Sequence, residues 1–202
     1  FCGLQNYIQL FTMDNEFWNS LKVTLVYTLY TVPGKLVMAL AVAVFLNRNI
    51  KGINLIRTLY YIPSLFGGSV AVALLWKIMF MDNGVINAIL TTLHLPNVQW
   101  LGDPNQALRT ICMMEIWQFG SSMLIFLSAL KQIPKSLYEA ADVDGAGKVT
   151  KFFRVTLPLL TPTIFFNLVM QMINGFLAFT QSLIITQGKP MDTTLFYAVY
   201  MY

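Results

Sequence analysis

The chain has 202 residues, of which 56% are hydrophobic, 14% aromatic and only 11% charged, and its mean hydropathy is +0.62. That is less than half the charge of an ordinary soluble domain, and with its long uncharged runs it excludes a soluble globule and points to a polytopic membrane protein. The net charge of +4 comes from basic residues that interrupt hydrophobic runs instead of clustering on one face, so it reads as membrane topology and not as a nucleic-acid surface.

A membrane-crossing helix needs about 20 mostly apolar residues. Four stretches qualify, at about 19–46, 58–80, 108–130 and 157–186. The first is interrupted by Pro33-Gly34-Lys35 and carries Thr24, Thr28, Thr31 and Lys35 at helical steps. A lysine near mid-span costs about 2.5 to 3.5 kcal/mol to insert. Lys35 is therefore expected to be paired or to face water, with Glu115 as the most economical partner and snorkelling as the alternative. The second stretch has Ser64, Gly67, Gly68, Ser69, Ala71 and Ala73, a small-residue surface suited to close packing.

The third stretch places Glu115, Gln118 and Ser122 on one face, with Trp117 and Phe119 as a stacking wall for a solute or as ordinary packing. In the fourth, Thr163, Asn167, Gln171, Asn174 and Gln181 step by four, four, three and seven. They are expected to hold one helical face over about 27 Å, either lining a path for a hydroxylated solute or hydrogen-bonding between helices. Asn167, Gln171, Asn174, Trp117, Gln118, Thr31 and Lys35 are thus the candidate pathway residues.

Lys and Arg fix the orientation. Arg48, Lys51 and Arg57 follow the first stretch, and Lys131, Lys135, Lys148, Lys151 and Arg154 follow the third. The intervening 81–107 has no Lys or Arg and reads as an exposed connector with turn signals at Pro96, Gly102 and Asp103-Pro104. Both basic segments are expected in the cytoplasm and both termini outside, which calls for further spans before Phe1 and after Tyr202. Cys2 and Cys112 lie too far apart for a metal or disulfide framework, and no signal-peptide pattern is visible. No internal repeat or linker divides residues 1–202, so one membrane domain is expected.

The segment 131–157 is too long and too patterned for a simple connector. Pro134 closes the preceding stretch, Ser136-Leu137-Tyr138-Glu139 has the capping-box form, and Asp144-Gly145 offers a left-handed stop. A second short helix is expected at about Thr150 to Thr156, presenting Phe152 and Phe153 before Pro158 opens the next span. Ala140, Ala141 and these aromatics compose a docking surface for another protein.

Glu139-Ala140-Ala141, Asp144-Gly145-Ala146, Phe153, Leu157-Pro158 and Pro162 together resemble the EAA loop of permease subunits from binding-protein-dependent ABC importers. Gly3-Leu4-Gln5-Asn6-Tyr7, Arg57-Thr58-Leu59-Tyr60-Tyr61-Ile62-Pro63, Gly84-Val85-Ile86-Asn87 and Ile184-Ile185-Thr186-Gln187-Gly188 are similar to the sugar-uptake branch, so the resemblance covers nearly the whole chain. It implies an all-α, polytopic transmembrane helical bundle of the type I ABC importer permease (MetI-like) kind, with a cytoplasmic helix-turn-helix coupling loop. It also implies that Glu139, Ala140, Ala141, Asp144, Gly145, Ala146, Phe152 and Phe153 meet an ATP-binding subunit.

The implied partners are two ABC ATP-binding subunits, a second permease subunit forming a heterodimer, an extracytoplasmic solute-binding protein, a sugar or oligosaccharide, and the plasma membrane of a bacterium or archaeon. Magnesium-ATP would bind the partner, because the chain has no Gly-x-x-x-x-Gly-Lys-Ser/Thr loop and is expected to need no cofactor of its own. With His94 as its lone histidine and no hydrolase motif, an enzyme is not expected. A permease for a non-sugar solute and an ion-coupled secondary transporter using Lys35 and Glu115 are the alternatives.

Overall fold

The computed structural model describes residues 3–47 and 52–202, so Cys2, Arg48 and Lys51 lie outside the described residues. Within them all regular structure is helical. In chain order it comprises α1 (Gln5–Thr12), α2 (Asn15–Leu46), α3 (Ile53–Leu65), α4 (Val70–Phe80), α5 (Val85–Thr92), α6 (Pro104–Trp117) and α7 (Gly120–Gln132). There follow α8 (Lys135–Val143), α9 (Lys148–Lys151), a π-helical turn (Phe152–Thr156), α10 (Leu157–Phe176), a second π-helical turn (Ser182–Thr186) and α11 (Tyr197–Tyr200). Among the described residues, Asn15–Leu46, Val70–Thr92 and Lys148–Phe176 are long and apolar enough to cross a membrane, and α6 with α7 passes the same test as a bent pair.

The breaks have local causes. α2 runs through Pro33 unbroken; in an apolar setting packed neighbours tolerate the lost donor. The stretch 58–80 is not one helix. Pro63 lies near the end of α3, Gly67-Gly68 follows, and the chain turns with Ser69 N–H on the Phe66 carbonyl at 2.8 Å before α4 begins. Between α6 and α7, Gly120 brings its backbone so close to α3 that a Cβ would stand 2.5 Å from the Tyr60 carbonyl oxygen. The fourth stretch also divides: α10 stops at Phe176, and helix resumes only near Thr180.

Contacts group the chain into two compact units, Phe1–Thr31 with Phe66–Glu115 and Met172–Tyr202, and Val32–Leu65 with Ile116–Gln171. In the second unit, α2 buries Val32, Leu36, Ala39, Ala43 and Leu46, spaced alternately by four and three residues, against Phe119, Met123, Phe126, Leu127 and Leu130 around α7. That spacing makes one stripe of a helix. Lipid is as apolar as leucine, so shape fit holds such helices together, and Ala39 and Ala43 at 0% exposure permit the close approach.

In the first unit, Tyr27 of α2 packs on Phe196 with ring centroids 4.5 Å apart, beside Val23, Ile111 and Cys112. A second cluster joins Ala73, Phe80, Met114 and Ile185. The connector 81–107 is more ordered than its sequence suggests, because it folds around Asn87, which is 3% exposed. The Asn87 amide donates to the carbonyls of Asp82 and Val98 at 2.9 and 3.0 Å, and its oxygen accepts from Val98 N–H and Trp100 Nε1 at 3.2 and 3.0 Å. All four bonds of a buried amide are thereby satisfied.

Candidate functional site

The segment 133–160 forms a helical hairpin whose two ends, Ile133 and Leu160, join the core of its own unit. α8 begins two residues earlier than the capping-box pattern predicts. Pro134 is the N-cap and no side chain caps the end, so Ser136 lies inside the helix and the expected Ser136–Glu139 box does not form. The Pro134 carbonyl instead accepts the Leu137 N–H at 3.2 Å, closing the first turn with backbone alone.

The C-terminal stop is as expected. Gly145 adopts φ +74°, its N–H bonds the Asp142 carbonyl at 3.0 Å, and the Ala146 N–H bonds the Ala141 carbonyl at 2.9 Å. This reciprocal pair is the Schellman arrangement, and only glycine enters its left-handed position without strain.

Beyond Gly147 the structure departs from two separate short helices. α9, the π-turn and α10 are one continuous helical path from Lys148 to Phe176. Pro158 has no N–H for the carbonyl one turn back and its ring presses on it. The widened turn, with Leu157 N–H on the Phe152 carbonyl, absorbs the misfit without ending the helix.

Two side-chain links hold the hairpin closed. Tyr138 Oη and Thr156 Oγ1 are 2.9 Å apart, and Lys151 Nζ donates to Asp142 Oδ1 at 2.5 Å. What remains outward is Glu139, Ala140, Asp144 and Gly145, with Leu137, Val143, Val149 and Phe153 among the exposed apolar side chains. Ala141, Ala146 and Phe152 are half-buried, and the Phe152 ring meets Phe153 edge-on at 5.1 Å. Val143 is 89% and Val149 71% exposed. Water gives no reason to present these groups, so the tip has the chemistry of a contact surface.

The candidate pathway residues do not form one continuous stripe. In the second unit, Gln171 Nε2 donates to Ser122 Oγ at 3.0 Å and Asn167 Nδ2 to the Thr163 carbonyl at 3.1 Å, and both side chains are buried. Asn174 follows Asn167 by about two turns and keeps the same helical face, but its side chain is exposed where those of Asn167 and Gln171 are covered. Gln181 lies beyond the break after Phe176, so the expected 27 Å face is interrupted; in the first unit its Nε2 donates to Glu115 Oε2 at 3.0 Å.

Thr31 bonds back to the Tyr27 carbonyl at 2.8 Å, a saturated local bond. Gln118 and Lys35 are buried at 6% and 7% exposure. Trp117, half exposed, lines an open cavity of about 360 Å³ with Ile56, Leu59, Tyr60, Pro63 and Phe119. Phe119 is itself buried against Tyr60, with centroids 5.9 Å apart, so it packs and leaves Trp117 as the accessible ring.

Sequence reasoning passed over Lys77. Its Nζ donates to the Ile184 carbonyl at 3.1 Å, in the second π-turn of the same unit. A cation on the carbonyl end of a helical turn is favourable, and a charge in so apolar a helix was the available signal.

Residues 11–202 match the model of the binding-protein-dependent transport system inner membrane component family. The chain is 51% identical over 203 residues to the probable ABC transporter permease protein YesP of Bacillus subtilis, covering 99% of this chain and 66% of that protein. It is 37% identical to the sulfoquinovosyl glycerol transport system permease protein SmoG of Agrobacterium fabrum, covering 100% of this chain and 66% of that protein. The chain therefore spans about two thirds of the length of these relatives.

Among solved structures, a chain of a bacterial alginate ABC transporter in complex with an alginate pentasaccharide-bound periplasmic protein superposes with a TM-score of 0.83. Identity there is 24%, over 96% of this chain and 67% of that one, and the likeness is one of fold.

Proposed function

Since the chain belongs to the binding-protein-dependent transport system inner membrane components, we propose that it is the membrane subunit of an ATP-driven importer that carries a sugar or oligosaccharide into the cell. ATP is hydrolysed on separate subunits, and a second permease chain completes the path. An external binding protein delivers the solute. Lys131 to Arg154 and the Arg57 segment face the cytoplasm of a bacterium or archaeon, so the α8–α9 hairpin meets the ATPase. The permease names of the related proteins and the sulfoquinovosyl glycerol named for SmoG support this reading.

The observation that carries the proposal is the hairpin itself. Its two arms are fastened to each other by Tyr138–Thr156 and Lys151–Asp142 while Glu139, Ala140, Val143 and Phe153 stay exposed. Arms fastened in this way let force applied to the hairpin move the helix behind it. The ATPase contact comprises Glu139, Ala140, Ala141, Asp144, Gly145, Ala146, Phe152 and Phe153. Asn167, Gln171, Asn174, Trp117, Gln118, Thr31 and Lys35 border the solute path, with Asn174 and Trp117 offering accessible surface and the others shaping the wall.

Sugar-stimulated ATPase activity and uptake of the full-length subunit, assembled with its partners in proteoliposomes, test this. Glu139→Lys reverses a charge at the tip. Gly145→Pro removes the 3.0 Å bond to Asp142 and forbids φ +74°. Both are expected to abolish stimulated hydrolysis while solute binding outside persists. Uptake that needs no ATP and ignores both changes would falsify the reading.

A further inference from the structure

We propose that α1 is an interfacial helix whose apolar face lies in the lipid at the membrane surface beside the start of α2. The inference rests on α2 crossing the bilayer, as the reading above requires. α1 buries none of its residues. Around the helix axis Leu4, Tyr7, Ile8 and Phe11 fall within an arc of about 100°, while Gln5, Asn6, Gln9 and Thr12 occupy the other side. The apolar four are 71%, 60%, 61% and 51% exposed. No charged residue occurs before Asp14.

Lipid fits this face better than a protein partner does, because the face continues into the surface of a membrane span. Trp18, on the first turn of α2 and 50% exposed, donates its indole N–H to the Phe11 carbonyl at 3.0 Å. Its ring lies 6.1 Å from that of Phe11 and 5.3 Å from that of Phe17. Exposed Leu25 and Leu29 continue along the same helix. Tryptophan and tyrosine sit by preference at the headgroup level, which sets Tyr7 and Trp18 at the boundary and Leu29 below it.

The polar side has a different environment. Asn6, Gln9, Leu10 and Met13 line an open groove of about 580 Å³ with Asp14, Asn15 and Glu16. Water fills that side and lipid the other, as an in-plane amphipathic helix demands.

The test uses the complete importer in nanodiscs, with Cys2→Ser and Cys112→Ala and one nitroxide-labelled cysteine at a time. The sites are Gln5, Ile8, Gln9 and Phe11, with Leu29 as the mid-span control. Labels at Ile8 and Phe11 are expected to collide several-fold more with oxygen than with a water-soluble nickel chelate, and labels at Gln5 and Gln9 the reverse. Free nickel access at all four positions would overturn the proposal, since α1 would then stand in water. Exclusion of both reagents at Ile8 and Phe11 would equally overturn it, because protein would be covering the face. A Leu29 label that collides with nickel would instead remove the premise that α2 spans the membrane.

Discussion

Asp14 joins three parts of its unit through one carboxylate. Oδ1 accepts the N–H groups of Glu16 and Phe17 at 3.0 and 3.1 Å and so caps α2, while Oδ2 accepts the Tyr200 hydroxyl at 2.6 Å. The Tyr200 hydrogen bond, followed by that of Phe17, holds the Asp14 carboxyl below its usual range, and the same contact with Asp14 pushes the Tyr200 phenol up to about 12. The signs define a window. Asp14, lowered on folding, contributes above its ordinary titration and ceases to as pH falls through its depressed value. Tyr200, raised on folding, contributes below 10 and ceases to as pH rises through about 12. Tyr200→Phe is expected to return the Asp14 carboxyl toward its ordinary range, read by carboxyl-carbon NMR titration; an unmoved Asp14 would mean that the cap alone sets it.

Side-chain partners of this kind were the least legible part of the sequence. That Asn167 and Gln171 face inward followed from their spacing, but spacing does not say whether an amide meets solute or a neighbouring hydroxyl, and Gln171 meets Ser122. Asn87 gave no periodic signal, because its four partners lie on a connector and depend on the turn that returns Val98 and Trp100 to it.

At the scale of elements, Gly175 sets how closely two helices approach. A Cβ there would stand 2.9 Å from Thr28 Oγ1 and 3.0 Å from its Cγ2, so α10 meets α2 backbone to side chain just before α10 stops. Thr28 Oγ1 is buried without a hydrogen-bond partner among the described residues. Gly175→Ala is expected to destabilise the packed helices by about 2 kcal/mol through overpacking. Thr28→Ala in the same chain should recover most of that, since it removes both obstructing atoms. Thermal unfolding in detergent would check this, and a double variant no better than Gly175→Ala would show that the strain lies elsewhere.

Helix existence was legible here and helix continuity was not. The apolar run 58–80 contained its own break in Pro63 and Gly67-Gly68, yet a hydropathy window averages across such a break. The opposite error arose at Pro158, where the residue that normally opens a helix lies inside one because a π-turn precedes it.

For the whole molecule, composition sufficed to identify a helical membrane protein, and the 24-residue pattern from Glu139 to Pro162 pointed to its family. Composition carries no record of how the chain divides in space. α2 contributes Asn15–Thr31 to one compact unit and Val32–Leu46 to the other, and α10 likewise belongs to both. Such units are built from pieces far apart in sequence, and a count of spans does not reveal them.

The π-turn makes the loop and the span a single drive shaft. On the proposed function, a displacement of the hairpin is expected to pass along the continuous helix Lys148–Phe176 to the buried stretch around Asn167 and Gln171. An α-helix turns by about 100° per residue, so the extra residue in Phe152–Thr156 sets the angular phase between tip and shaft. Deleting Val155 is expected to leave the importer assembled but hydrolysis on its ATP-binding subunits no longer answering to solute, a mistimed engine rather than a broken one. Coupling that survived the deletion would show that the shaft slips.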